Sequence, residues 1–136
     1  MTQEEKDLLI KDLCARLTYG VRVKIGEFSD YMLIGIDTTS DKQPLLIKCE
    51  DSIFACSVNI VKPYLRPMSS MTDDEREDWY RQSKVDYDCE FKPEPTLSLE
   101  NCHLSVDWLN KKGFDYRGLI PMGLALEAKE GMYKTK

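Results

Sequence analysis

"GVRVKIGEFSDYMLIGIDTTSDKQPLLIKCEDSIFACSVNIV", residues 20–61, is the stretch on which the fold turns. Within it "VRVKI" alternates Val21, Val23 and Ile25 against Arg22 and Lys24, the period of a half-buried strand. "YMLIGI" (31–36), "PLLIKC" (44–49) and "SIFACSV" (52–58) are further short strand candidates. The connections "GEFSD", "DTTSDKQ" and "ED" are made of turn-forming residues. They are too short for the dozen or so residues of a parallel crossover, so an antiparallel meander is expected. "YMLIGI" is apolar at both parities, which suggests cover on both faces. Curling into a small SH3-like barrel would supply that cover, with an N-terminal helix closing the open face. The expected class is α+β: a small antiparallel β-meander or SH3-like barrel over about residues 20–61, an N-terminal helix and a helical C-terminal half.

Outward from this stretch the period changes. Thr2 and Glu5 have the capping-box spacing, and Leu9, Ile10, Leu13, Cys14 and Leu17 follow at helical intervals up to Gly20. A first helix over residues 3–17 is expected. On the other side lies "VKPYLRPMSSMTDDE", residues 61–75. Pro63 and Pro67 lack backbone donors and favour extended geometry. Residues 62–71 are therefore expected to leave the sheet as an ordered strap, with Tyr64 and Leu65 at least partly buried. The spacing of its prolines also resembles a polyproline ligand, which is the second reading.

Thr72 and Glu75 repeat the capping-box spacing and open a helix over 73–84, mostly solvated and touching the body through Trp79 and Tyr80. "VDYDCEFKPEPT" (85–96) reads as an extended acidic connection. Ser105 suits the cap of a third helix stopped by Gly113, and Asp115 suits the cap of a turn before Pro121. The whole chain, 1–136, is expected to be one domain: helix 1–19, sheet 20–61, strap 62–71, and a helical and irregular part 72–136.

The 42% hydrophobic and 32% charged content fits a globular chain, and no apolar run approaches the roughly 20 residues of a membrane span. The acidic, amphipathic start lacks the basic and continuous apolar regions of an export signal, so a cytoplasmic protein without membrane contact is expected. The five cysteines include no C-x-x-C pair, and with the one histidine there is no zinc spacing. Cys14, Cys49 and Cys56 fall inside apolar patterns and are read as reduced, structural thiols.

Few residues carry catalytic chemistry. Asp86, Asp88 and Glu90 alternate, so an extended chain would point three hard oxygens one way, but an acidic solvated connection explains them more simply. His103 would have to serve every acid–base role near neutrality, and no phosphate loop, dinucleotide fingerprint or nucleophile elbow occurs. No enzyme, no cofactor and no metal are expected.

Binding is the remaining class. Arg22, Lys24 and Lys48, with Lys62 and Arg66, offer an alternative nucleic-acid face, although residues 21–71 hold six bases and six acids. The acidic stretch 73–90 offers the opposite idea, a nucleic-acid mimic. The favoured expectation is a protein-interaction module contacting a partner or a second copy through Tyr64, Arg66, Trp79 and Tyr80, residue types that dominate interface hot spots.

"VKPYLRPMSSMT" and "DWLNKKGFDYRGLIPMGLALEA…EGMY", together about a quarter of the chain, resemble a group of short uncharacterised proteins from gut Bacteroidales genomes and their phages and prophages. The resemblance implies a cytoplasmic, mobile-element-associated protein. It brings no functional residues with it.

Overall fold

A computed structural model of the chain describes residues 1–40, 42–82, 102–129 and 132–133, with the backbone alone at 29, 30 and 102. The expectations for 85–96, including Asp86, Asp88 and Glu90, lie outside the described residues.

The first helix, α1 (Gln3–Arg16), begins as its spacing implies. Glu5 N–H donates to Thr2 Oγ1 at 3.1 Å and Thr2 N–H donates to Glu5 Oε1 at 3.2 Å. A cap of this kind stabilises a helix by about 1 kcal/mol. The buried face, however, runs through Leu9, Asp12, Leu13 and Arg16, the i, i+3, i+4, i+7 positions. The apolar stripe seen in the sequence is thus rotated: Cys14 is exposed, while Cys49 is half-buried and Cys56 buried. Asp12 and Arg16 enter the interior because each neutralises the other, Arg16 Nε donating to Asp12 Oδ2 at 2.9 Å.

Strands β1 (Val21–Ile25), β2 (Phe28–Ile36), β3 (Leu45–Cys49) and β4 (Ser52–Cys56) form the antiparallel meander the short connections require. The 3–4 connection is a tight two-residue turn in which Glu50 takes a left-handed φ of 52°. The next strand, β5 (Val61–Pro67), corrects the sequence reading: residues 62–67 are not an unpaired strap but a strand set against β1. Gly26 N–H donates to the Ile60 carbonyl at 3.3 Å, which makes Ile25/Val61, and hence Val23/Pro63, non-hydrogen-bonded pairs. Pro63 therefore sits where the ladder asks no donor of it, as strand prolines must. Tyr64 and Leu65 are buried, the latter completely.

The C-terminal half also departs from the expected helical and irregular part. Helices α2 (Asp73–Gln82) and α3 (Cys102–Lys112) are present, but β6 (Phe114–Asp115) and β7 (Leu126–Glu127) return to the sheet. Both run parallel to β5, β7 against Tyr64 and Leu65 and β6 against Arg66 and Pro67, but on opposite edges: the Leu65 carbonyl accepts the Ala128 N–H at 2.8 Å, while the N–H of the next residue, Arg66, donates to the Gly113 carbonyl at 2.7 Å. The sheet order is β4-β3-β2-β1-β5-β6, open and mixed, so the SH3-like barrel does not form. Closure is unnecessary because α1 and the turn around Leu119, Leu124 and Ala125 cover the inner face. The two-sided apolar character of "YMLIGI" does not report two-sided burial: Leu33 faces the core while Met32 and Ile34 face solvent.

Two further devices hold the C-terminal half. The Asp115 carboxylate accepts the N–H groups of Leu119 and Ile120 at 2.8 and 2.9 Å, capping the turn its position suggested. Ser105 is not a cap but lies within α3, where its hydroxyl accepts the Trp79 indole N–H at 2.9 Å. Gly113 ends α3 with φ 80°.

Candidate interaction face

Of the four residues favoured from sequence, Tyr64, Arg66, Trp79 and Tyr80, the structure gathers the last three where β5, α2 and α3 meet. Arg66 donates to both Glu75 oxygens, at 2.6 and 2.8 Å, and its guanidinium lies over the Phe114 ring at 4.2 Å. Trp79 stacks between Tyr80 and Trp108, with centroids at 5.5 and 6.3 Å. Trp108 in turn donates to Asp78 Oδ2 at 2.9 Å. Tyr64 stands apart, 7% exposed, its carbonyl accepting the Tyr133 hydroxyl at 2.6 Å. These contacts join the helices to the sheet, and Trp79, Tyr80 and Arg66 remain half-buried at the surface of that joint. The Arg66 hydrogen bonds hold the Glu75 carboxyl far below its ordinary value, at about 2.

The alternative residues, Arg22, Lys24 and Lys48, come together on one face of the sheet. Cross-strand partners share a face, so the register reads directly as a map of the outer surface. One row runs Arg22, Met32, Lys48, Ile53 across β1, β2, β3 and β4. Beside it Lys24 stands opposite Lys62, and Leu46 opposite Ala55. A Cβ at Gly35 would come within 3.1 Å of Leu46 Cδ1, so the glycine lets Leu46 lie flat on this surface. Met32, Ile34 and Ile53 are exposed, Ile53 by 63%.

Lys24 opposite Lys62 is a like-charge pair at adjacent strands, an arrangement that costs a bare sheet up to about 1 kcal/mol. Among the described residues no carboxylate forms an ion pair with Lys24, Lys48 or Lys62. At Arg22 the backbone N–H donates to the Tyr133 hydroxyl at 3.1 Å. Sequence reading offered these cations, with Lys62 and Arg66, as one face. Alternation within "VRVKI" put Arg22 and Lys24 on one side, and the register sets Lys48 and Lys62 beside them and adds the apolar residues between.

A cleft of about 510 Å³ opens between α1 and the β2–β3 and β4–β5 connections, lined by Lys6, Asp7, Ile10, Lys42, Ser57 and Asn59 among others. His103 is exposed at the start of α3. Among the described residues no three carboxylate, thiol or imidazole groups converge to hold a metal ion, and no helix is long and apolar enough to cross a membrane. Comparison with known proteins finds no matching family model, curated protein or solved structure.

Proposed function

We propose that the chain is a non-enzymatic protein-interaction module of the cytoplasm, associated with a mobile element, whose working surface is the outer face of the sheet. The observation that carries this reading is the Lys24–Lys62 pair beside an exposed Met32–Ile34–Ile53 patch. Like charges brought together without a described counter-ion are relieved by an acidic partner, and exposed apolar side chains are relieved by a partner that is also apolar. A protein surface offers both. The three free cysteines among the described residues agree with a reducing compartment.

Nucleic acid is the second reading, because Arg22, Lys24 and Lys48 do share one face. Stacking is what small sheets use to hold single strands, whereas the exposed apolar residues of this face, Met32, Ile34 and Ile53, are aliphatic, and Tyr64, which shares the parity of Lys62, is buried. The chain's net charge of −5 also opposes approach to a polyanion.

Site-specific photo-crosslinking in the source cells tests the choice. A photoreactive residue at position 53 is expected to trap a protein, one at Glu4 on the solvated side of α1 is not, and Lys24→Glu/Lys62→Glu is expected to abolish the position-53 product. Equal products at both positions, or a nucleic acid at position 53, would overturn the reading. Trapping a second copy of this chain would identify the partner as itself.

A further inference from the structure

β4 is one end of the sheet, hydrogen-bonded to β3 on one side, and among the described residues no strand pairs with the other. The two-residue turn closes on the Cys49/Ser52 pair, so Ile47/Phe54 and Leu45/Cys56 are hydrogen-bonded and Lys48/Ile53 and Leu46/Ala55 are not. The N–H and C=O groups of Ile53 and Ala55 therefore point out of the sheet at the open edge. Exposed edges usually carry a lysine, a proline or a bulge that blocks pairing with another chain. "SIFAC" has none of these: it holds no charge, its register with β3 is continuous, and Ile53 and Phe54 are exposed.

We propose that β4 receives an acidic, extended segment of a partner protein as an added strand, in which apolar and acidic residues alternate. The inference rests on the outer-face reading and gives the partner its form. An added strand would extend the row Arg22, Met32, Lys48, Ile53 by one position. The new residue opposite Ile53 stands two strand spacings, about 9.6 Å, from Lys48, within the combined reach of a lysine and a glutamate. A carboxylate there meets the cationic side of the face. The intervening residues of the added strand would point to the inner face, against Phe54, whose ring meets Tyr31 edge-on at 5.8 Å. Backbone hydrogen bonds to Ile53 and Ala55 would supply affinity, and the charge of the face would select acidic over basic sequences.

The probe is a fluorescent peptide of alternating valine and glutamate, titrated into the intact chain. It is expected to bind about tenfold more tightly than the valine–lysine counterpart, and to lose about tenfold when alternate amides are N-methylated to remove the donors that face β4. Amide resonances of Ile53 and Ala55 should shift on binding, and Lys48→Glu should weaken binding without changing thermal unfolding. If charge reversal weakens binding while N-methylation does not, strand addition is overturned and the outer-face reading stands. If neither glutamate nor Lys48 matters, both fall. Displacement of the probe by single-stranded DNA at lower concentration than by unlabelled peptide would assign the face to nucleic acid instead.

Discussion

Arg66 and Glu75 form a two-pronged ion pair, at 2.6 and 2.8 Å, and the Glu75 oxygen at 2.8 Å also accepts the Thr72 N–H at 3.1 Å. One carboxylate thus ends the sheet and begins a helix. Arg66 lies on β5, Glu75 on the first turn of α2, and the Arg66 plane rests on Phe114 of β6. The capping box was written in the sequence; that its glutamate would be shared with a strand arginine was not.

The pair makes stability depend on acidity. Glu75 ionises at about 2 in the fold against an ordinary 4.5, so its contribution is complete above 4.5 and disappears as pH falls toward 2. Glu75→Gln should be less stable than the parent at pH 7, by up to about 1 kcal/mol for a pair open to solvent. That difference should shrink as pH falls through the window, because the parent then loses what the variant lacks. Urea midpoints at pH 7 and pH 3 measure it; a constant gap would refute the assignment.

Asp12 is a second joint. It accepts Arg16 at 2.9 Å and Arg117 at 3.1 Å, and Arg16 also donates to the Phe114 carbonyl at 2.6 Å. Arg16 is 1% exposed, so Asp12→Asn leaves a buried guanidinium without its counter-charge. The expected loss is about 3–5 kcal/mol. Asp12→Asn/Arg16→Met removes the stranded charge and should recover part of it, as read from urea unfolding of the two variants.

Gly113 is fixed by two constraints. Its φ is 80°, and a Cβ there would approach Tyr133 Cδ2 to 2.8 Å. Gly113→Ala should cost more than the roughly 1 kcal/mol of a left-handed alanine. In a double-mutant cycle with Tyr133→Ala the penalties should fall short of additive by about 0.5 kcal/mol or more, since removal of the ring removes the clash but not the strain. Full additivity would place the tyrosine elsewhere.

The outer face should be free of structural duty. Ile53→Thr and Met32→Thr should each change stability by no more than about 0.5 kcal/mol, whereas Ile47→Thr, on the fully buried side of β3, should cost several times that. Equal losses at 53 and 47 would mean that the face is already covered.

Local physics was legible where it is complete within a few residues. Thr2/Glu5, Thr72/Glu75, the alternation of Val21, Val23 and Ile25, and Gly113 as a helix stop all satisfy backbone groups close at hand, and the structure contains each. The outer face was half legible: Arg22 and Lys24 were visible as neighbours, while Lys62, assigned to a strap, was not seen as the cross-strand partner of Lys24. β5 was misread because two prolines argue against a strand unless the pairing of each position is known. At Pro63 that pairing depends on which residues of β1 stand opposite.

The sequence by itself determined an α+β chain with a capped first helix, a meander of short strands and a second capped helix, because each of these follows from periods and caps of a few residues. Only the tertiary structure decided that the sheet stays open, that β5 is its interior strand with β6 and β7 paired to opposite edges of it, and that Asp12 and Arg16 are buried. These depend on contacts between residues as distant as Arg16 and Phe114, whose energies no local pattern encodes. The same separation divides the cations: their presence is composition, but their convergence with Met32 and Ile53 on one surface is register, which long-range pairing alone sets.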